Sequence, residues 1–79
     1  MICIVSGRRI IIKTVPTMRV GQVKMEALAA ARFTVAPDQP GWEVRRSDGE
    51  PLVISNTLGV SGLADDDTIY IDPTPGEGA

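Results

Sequence analysis

A single alanine-rich helical segment, set among short β-branched runs, constrains the fold of this chain most. Residues 18–32 include an unbroken Ala-Leu-Ala-Ala-Ala stretch of high helix propensity. Small apolar side chains recur there at near-helical spacing and predict one buried face: Val20, Val23, Ala27 and Ala31. Thr17 is placed to cap the first turn with its hydroxyl oxygen, although Gly21 weakens the segment and makes a later start possible.

Two apolar runs precede the helix and predict a β-hairpin. Residues 1–5 and 10–15 are rich in β-branched side chains, and residues 6–9 between them contain Ser-Gly. Pro16 has no backbone N–H to donate to a neighbouring strand, so we expect it to end the second strand. Cys3 alternates with other apolar residues, which indicates a buried small side chain and not a reactive thiol.

The second half of the chain predicts three more strands. Residues 42–45 alternate apolar with charged side chains, and Asp48-Gly49 follows as a tight-turn signal. Residues 52–54 predict a short returning strand, and residues 68–72 alternate cleanly as a last strand. The intervening loop carries two apolar residues that we expect to be buried: Leu58 and Leu63.

This order of elements predicts an α+β fold in which one helix packs across a mixed sheet of four to five strands. That arrangement is a β-grasp. A chain of 79 residues is long enough for one domain, which we assign to residues 1–72. Residues 73–79 contain two prolines, two glycines and no large apolar side chain, so we expect a flexible C-terminal tail.

Several classes of function are disfavoured by composition. The chain has no histidine, one cysteine and no glycine-rich phosphate loop, so we expect no catalytic site, no cofactor and no metal centre. Three consecutive aspartates at 65–67 lack the spacing of a cation-binding loop and predict a solvated turn. Scattered basic residues and few aromatics argue against nucleic acid. No run suits a membrane span, and the lone cysteine favours a cytoplasmic protein.

The sequence resembles ubiquitin and its relatives along essentially its whole length. The resemblance rests on an isoleucine-rich hairpin and on a series of short matches: Pro16-Thr17, Val23-Lys24, Pro37-Asp38-Gln39, Asn56-Thr57-Leu58, Gly62-Leu63 and Asp67-Thr68-Ile69-Tyr70-Ile71. Residues 42–46 before Asp48-Gly49 are more similar to bacterial ubiquitin-like proteins encoded beside conjugation enzymes. The resemblance implies a ubiquitin-like β-grasp fold.

The resemblance also implies a function at the C-terminus. A ubiquitin-like modifier would be cut after Gly78 by a processing peptidase that removes Ala79. An adenylating enzyme and a conjugating enzyme would then join the Gly78 carboxylate to a target protein, with Gly76 helping the tail to enter the narrow channel. The possible acceptor lysines are Lys13 and Lys24. A non-conjugated adaptor module remains the alternative, and a sulfur carrier is disfavoured because the chain does not end in diglycine.

A possible interface follows from strand alternation. If Met1, Cys3 and Val5 point inward, Ile2 and Ile4 point to the exposed face beside Ile11, where an apolar cluster would indicate an interface. Tyr70 faces away from its inward neighbours in the last strand. The apolar patch isoleucine of ubiquitin would fall near Arg45, and its valine near Asp72, so that patch is lost here. The alternative is a register that covers some of these residues.

Overall fold

The opening hairpin is tighter than the sequence predicts. A computed structural model describes residues 1–33 and 41–73, and in it β1 (Ile2–Val5) pairs antiparallel with β2 (Arg8–Ile11). Only Ser6 and Gly7 connect them, with φ of 50° and 86°. Positive φ at both central residues gives a two-residue turn whose twist matches that of the flanking strands. Arg8 therefore pairs directly with Val5.

The prediction of a second strand over residues 10–15 is wrong at both ends. The short turn brings the start of β2 forward to Arg8, whereas the pairing with β1 stops after Ile11. Beyond Ile11, the last contacts join Met1 and Ile12: the N-terminal ammonium of Met1 donates to the Ile12 carbonyl, and the Ile12 N–H donates to the Met1 carbonyl, both at 2.9 Å. The strand thus ends well before Pro16, because hydrogen bonds to β1 run out there.

The helix α1 (Val20–Ala30) begins later than a Thr17 cap would place it. Arg19 is the N-cap residue and makes no side-chain capping bond. The first N–H groups of the helix are satisfied by backbone instead: Val20 donates to the Asn56 carbonyl and Gly21 to the Ile54 carbonyl, both at 2.9 Å. The close contact between the helix and the Ile54 carbonyl explains why residue 21 is a glycine, since a Cβ there would lie 3.2 Å from the Ile54 oxygen.

The remaining strands complete a four-stranded mixed sheet, in the order β2-β1-β4-β3. β3 (Trp42–Arg46) and β4 (Thr68–Pro73) are antiparallel, whereas β1 and β4 are parallel. β4 extends to Pro73, one residue into the predicted tail. The other residues of that tail, 74–79, lie outside the described residues, as do residues 34–40.

No returning strand forms at residues 52–54. Pro51 makes only an isolated bridge to Arg45, and Leu52 donates one hydrogen bond to the Val44 carbonyl at 2.9 Å. The chain then turns away from β3, because the Val53 carbonyl accepts from Asn56 and the Ile54 carbonyl is taken by the helix. The start of the helix thus competes with a fifth strand for the same backbone groups.

The core lies between α1 and one face of the sheet, which we call the inner face. The predicted helix face is buried, and the loop residues Leu58 (2% exposed) and Leu63 (9% exposed) close the core as the sequence predicts. The inner face is made of alternate strand residues: Cys3, Val5, Val44, Ile69 and Ile71. The predicted arrangement of one helix across a mixed sheet is confirmed.

Candidate interaction surface on the outer sheet face

The opposite side of the sheet, which we call the outer face, has no layer packed on it within residues 1–33 and 41–73. Paired residues on neighbouring strands share a face, and Ile2 pairs with Ile11 and Thr68, while Ile4 pairs with Arg9 and Tyr70. The pairs between β3 and β4 complete the surface. Its members are Ile2, Ile4, Arg9, Ile11, Glu43, Arg45, Thr68, Tyr70 and Asp72.

All five residues that the sequence singles out as a possible interface lie on this outer face. Four of them form an apolar cluster across three adjacent strands: Ile2, Ile4, Ile11 and Tyr70. Ile11 is 70% exposed and Tyr70 is 39% exposed, whereas Ile2 and Ile4 are half-buried between neighbouring strands. Apolar side chains that adjoin one another at the surface are the kind of feature that marks binding sites.

The fifth residue, Arg45, is already engaged. Its Nε lies 3.1 Å from Oε1 of Glu43, and its Nη1 donates to the Gly49 carbonyl at 2.9 Å. Arg45 therefore stabilises the β3 edge and its turn more than it offers a free charge. An exposed ion pair of this kind contributes at most about 1 kcal/mol to the free energy of unfolding.

Arg9 is a charged residue of this surface that the sequence did not indicate. It pairs with Ile4 across the hairpin, on the outer face, and is exposed. In the described part of the chain its guanidinium makes neither a salt bridge nor a hydrogen bond, unlike Arg8, whose Nη1 donates to the Ala31 carbonyl at 2.9 Å. Its position follows from the two-residue turn, which sets the hairpin register. An exposed cation thus lies beside the apolar cluster.

The two lysines tied to conjugation do not belong to the outer face. Lys13 is exposed just after β2, and Lys24 is half-buried on α1. Gly76, Gly78 and Ala79 lie outside the described residues. Their proposed roles therefore stay predictions that rest on the sequence.

Residues 1–33 and 41–73 contain neither a cluster of metal ligands nor a helix that could span a membrane. No group of three or more histidine, cysteine, aspartate or glutamate side chains is arranged to hold a metal ion there. Over the same residues, α1 is too short and too polar to cross a membrane.

Cys3 is completely buried on the inner face of β1. Burial raises the pKa of its thiol from 9.0 to about 11, because desolvation disfavours the thiolate; the nearby N-terminal ammonium acts in the opposite direction. The thiol therefore stays protonated at neutral pH. This agrees with the predicted role of a small apolar side chain in the core.

The raised pKa of Cys3 predicts a loss of stability at high pH. Below pH 9 both the folded and the unfolded thiol are protonated, so the contribution is fully present. Between pH 9 and 11 the unfolded thiol ionises and the folded one does not, which lowers the free energy of unfolding by roughly 2 to 3 kcal/mol. Urea unfolding of the native protein and of Cys3→Ala measures this, since the variant lacks the step. Parallel pH profiles for the two proteins would contradict the buried thiol.

Comparison with known proteins identifies the fold and no closer relationship. No protein-family model matches the sequence, and no curated protein sequence matches it. Among solved structures, the chain is similar to the ubiquitin-like domain of EccD5 from Mycobacterium xenopi, with a TM-score of 0.62 and 14% sequence identity. The match covers 95% of this chain and 92% of that one. The protein therefore has the ubiquitin-like β-grasp fold that its sequence predicts.

Proposed function

We propose that this protein is a non-conjugated interaction module that binds a partner protein through the outer face of its sheet and catalyses no reaction itself. The observation that carries this proposal is the apolar cluster formed by Ile2, Ile4, Ile11 and Tyr70 beside the exposed Arg9. The similar solved structure is a ubiquitin-like domain of the protein EccD5. This favours an adaptor role over a free-standing modifier.

The chemistry of the outer face defines its partner. The apolar cluster requires apolar side chains opposite it, because burial of apolar surface drives association. Arg9, at the margin of the apolar cluster, requires a carboxylate of the partner opposite it. A guanidinium that is covered without an acidic partner would lose its hydration with no compensating interaction. The partner is therefore a protein surface with apolar residues in the centre and an aspartate or glutamate opposite Arg9.

Site-specific photo-crosslinking in cells that produce the protein tests this proposal. A photoreactive benzophenone amino acid replaces Ile11 in one variant and Val53, which is 56% exposed in the turn beside α1, in the other. We expect one discrete adduct from position 11, none of that mass from position 53, and loss of the adduct when Arg9→Glu is added. Equal adducts from both positions, or an adduct insensitive to Arg9→Glu, would overturn the proposal.

Conjugation as a ubiquitin-like modifier is the second candidate function. Its specific support is the sequence that follows β4, in which Gly76 and Gly78 come shortly after Pro73. Processing after Gly78 by a peptidase would free a carboxylate for an adenylating enzyme and a conjugating enzyme. Lys13 and Lys24 would serve as acceptors within the chain.

Intact mass separates these candidates. The full chain and a form that ends at Gly78 are incubated with ATP and the adenylating enzyme encoded nearest to the protein. A modifier forms an adenylate with release of pyrophosphate, and then an adduct in which a nucleophile displaces AMP. A sulfur carrier, in a parallel incubation with added sulfide, loses AMP to the sulfide and gains the mass difference between sulfur and oxygen. If neither chain changes mass, the modifier candidate fails and the adaptor proposal stands unaffected.

A further inference from the structure

A second surface feature lies away from the outer face, at the end of the sheet where β2 stops and β4 begins. It is a pocket of about 280 Å³ between the segment that follows β2 and the loop that precedes β4. Seven residues line it: Thr14, Val15, Pro16, Leu58, Leu63, Ala64 and Asp65. None of them belongs to the apolar cluster or to its charged margin.

Backbone hydrogen bonds hold the walls of this pocket. The N–H of Gly59 donates to the Pro16 carbonyl at 3.0 Å, which joins the two segments, and the N–H of Leu63 donates to the Leu58 carbonyl at 3.0 Å. On the rim, Oδ2 of Asp67 accepts from the N–H of Ala64 at 2.8 Å. The pocket is therefore a formed feature of the fold.

The pocket is lined by apolar side chains, by the hydroxyl of Thr14 and by one free carboxylate. The Thr14 Oγ1 is buried and has no hydrogen-bond partner among residues 1–33 and 41–73. Two of its lining residues, Leu58 and Leu63, are core side chains, whereas Val15 is 52% exposed. Asp65 is exposed and, in the part of the chain that the structure covers, its carboxylate accepts no hydrogen bond and forms no salt bridge. Asp66 beside it is also exposed and adds negative charge.

Size and charge together restrict what this pocket can hold. Its volume of about 280 Å³ lies at the lower end of the range for ligand sites and is enough for one side chain of a larger partner. An apolar side chain would cover Asp65 without satisfying its charge. Lysine and arginine carry a long apolar stem with a cation at its end, and can therefore pack along the exposed Val15 and Pro16 while the charge meets Asp65.

We propose that this pocket receives a lysine or arginine side chain of a second partner protein. The chain would then bind two proteins at once, one on the outer face and one at the pocket. Because the two surfaces share no residue, this inference and the proposed function can fail separately.

The test uses two tripeptides titrated into the full, ¹⁵N-labelled protein and followed by amide NMR. The first is acetyl-Ala-Lys-Ala-amide, and the second replaces lysine by norleucine, which has an unbranched apolar side chain but no charge. We expect saturable shifts at Val15, Leu58 and Ala64 with the lysine peptide, at a Kd in the millimolar range (about 1 to 10 mM). The norleucine peptide should bind several-fold more weakly.

Variants test whether these chemical-shift changes arise from binding at the pocket. Asp65→Asn should raise the Kd of the lysine peptide by about three- to fivefold, as expected for the loss of an exposed ion pair. Asp72→Asn makes the same chemical change on the outer face and should leave the affinity unchanged, as should Arg9→Glu. Absence of saturable shifts, equal binding of both peptides, or equal effects of Asp65→Asn and Asp72→Asn would overturn the inference.

Discussion

Replacing Leu58 by alanine should lower the free energy of unfolding by about 2 to 5 kcal/mol. Leu58 is 2% exposed and closes the core from a loop, and its N–H donates to the Met18 carbonyl at 2.8 Å. The shorter side chain leaves a cavity that this backbone bond keeps from collapsing. A domain of this size is stable by only about 4 to 12 kcal/mol, so the loss is a large share. Urea denaturation measures it.

Val60→Ala is the matched control for this prediction. Val60 lies two residues further along the same loop but is 75% exposed, so its truncation should change the free energy of unfolding by less than about 0.5 kcal/mol. A loss below about 1 kcal/mol for Leu58→Ala, or equal losses for the two variants, would show that the loop does not contribute to the core.

The second large effect concerns binding. Once the partner captured through position 11 is purified, the combined variant Arg9→Glu and Ile11→Ser should raise its Kd by about tenfold to a hundredfold. The serine loses the apolar contact of Ile11, and the glutamate introduced by Arg9→Glu places a like charge opposite the partner's carboxylate. Both residues are exposed, so the two substitutions together should change the free energy of unfolding by less than about 1 kcal/mol and the thermal midpoint by less than about 8 °C. Isothermal titration calorimetry measures the Kd.

Val53→Ser serves as the control for binding. Val53 is 56% exposed, a value between those of Tyr70 and Ile11. It belongs to the turn beside the start of α1 and not to the outer face. The Kd of this variant should equal that of the native protein. A combined variant that binds normally, or a Val53→Ser variant that binds as poorly, would place the interface elsewhere.

Features that depend on a residue pattern repeated within one helix or one strand were predictable from the sequence. The spacing of Val20, Val23 and Ala27 defines the buried side of α1, and the alternation of Ile69 and Ile71 defines the inner face of β4. Both patterns repeat within one element, and burial confirms both. The outward direction of Ile2 and Ile4 follows in the same way from the buried positions of the residues that alternate with them in β1.

Features set by contacts between distant residues were not predictable. The length of β2 depends on a positive φ at Ser6 and on the hydrogen bonds between Met1 and Ile12. The absent strand at residues 52–54 depends on the Gly21 N–H, which takes the Ile54 carbonyl. Arg9 and the pocket were missed for the same reason, since the first needs the hairpin register and the second joins segments far apart in the chain.

The most direct measurement of the central proposal is methyl NMR of the isoleucine side chains, with and without the captured partner. The chain offers internal references, because Ile69 and Ile71 are buried on the inner face and Ile54 is exposed beside α1. We predict that the δ1 methyl signals of Ile2, Ile4 and Ile11 shift or broaden on binding while that of Ile54 does not. A perturbed Ile54 with unchanged signals from Ile2, Ile4 and Ile11 would contradict binding through the outer face.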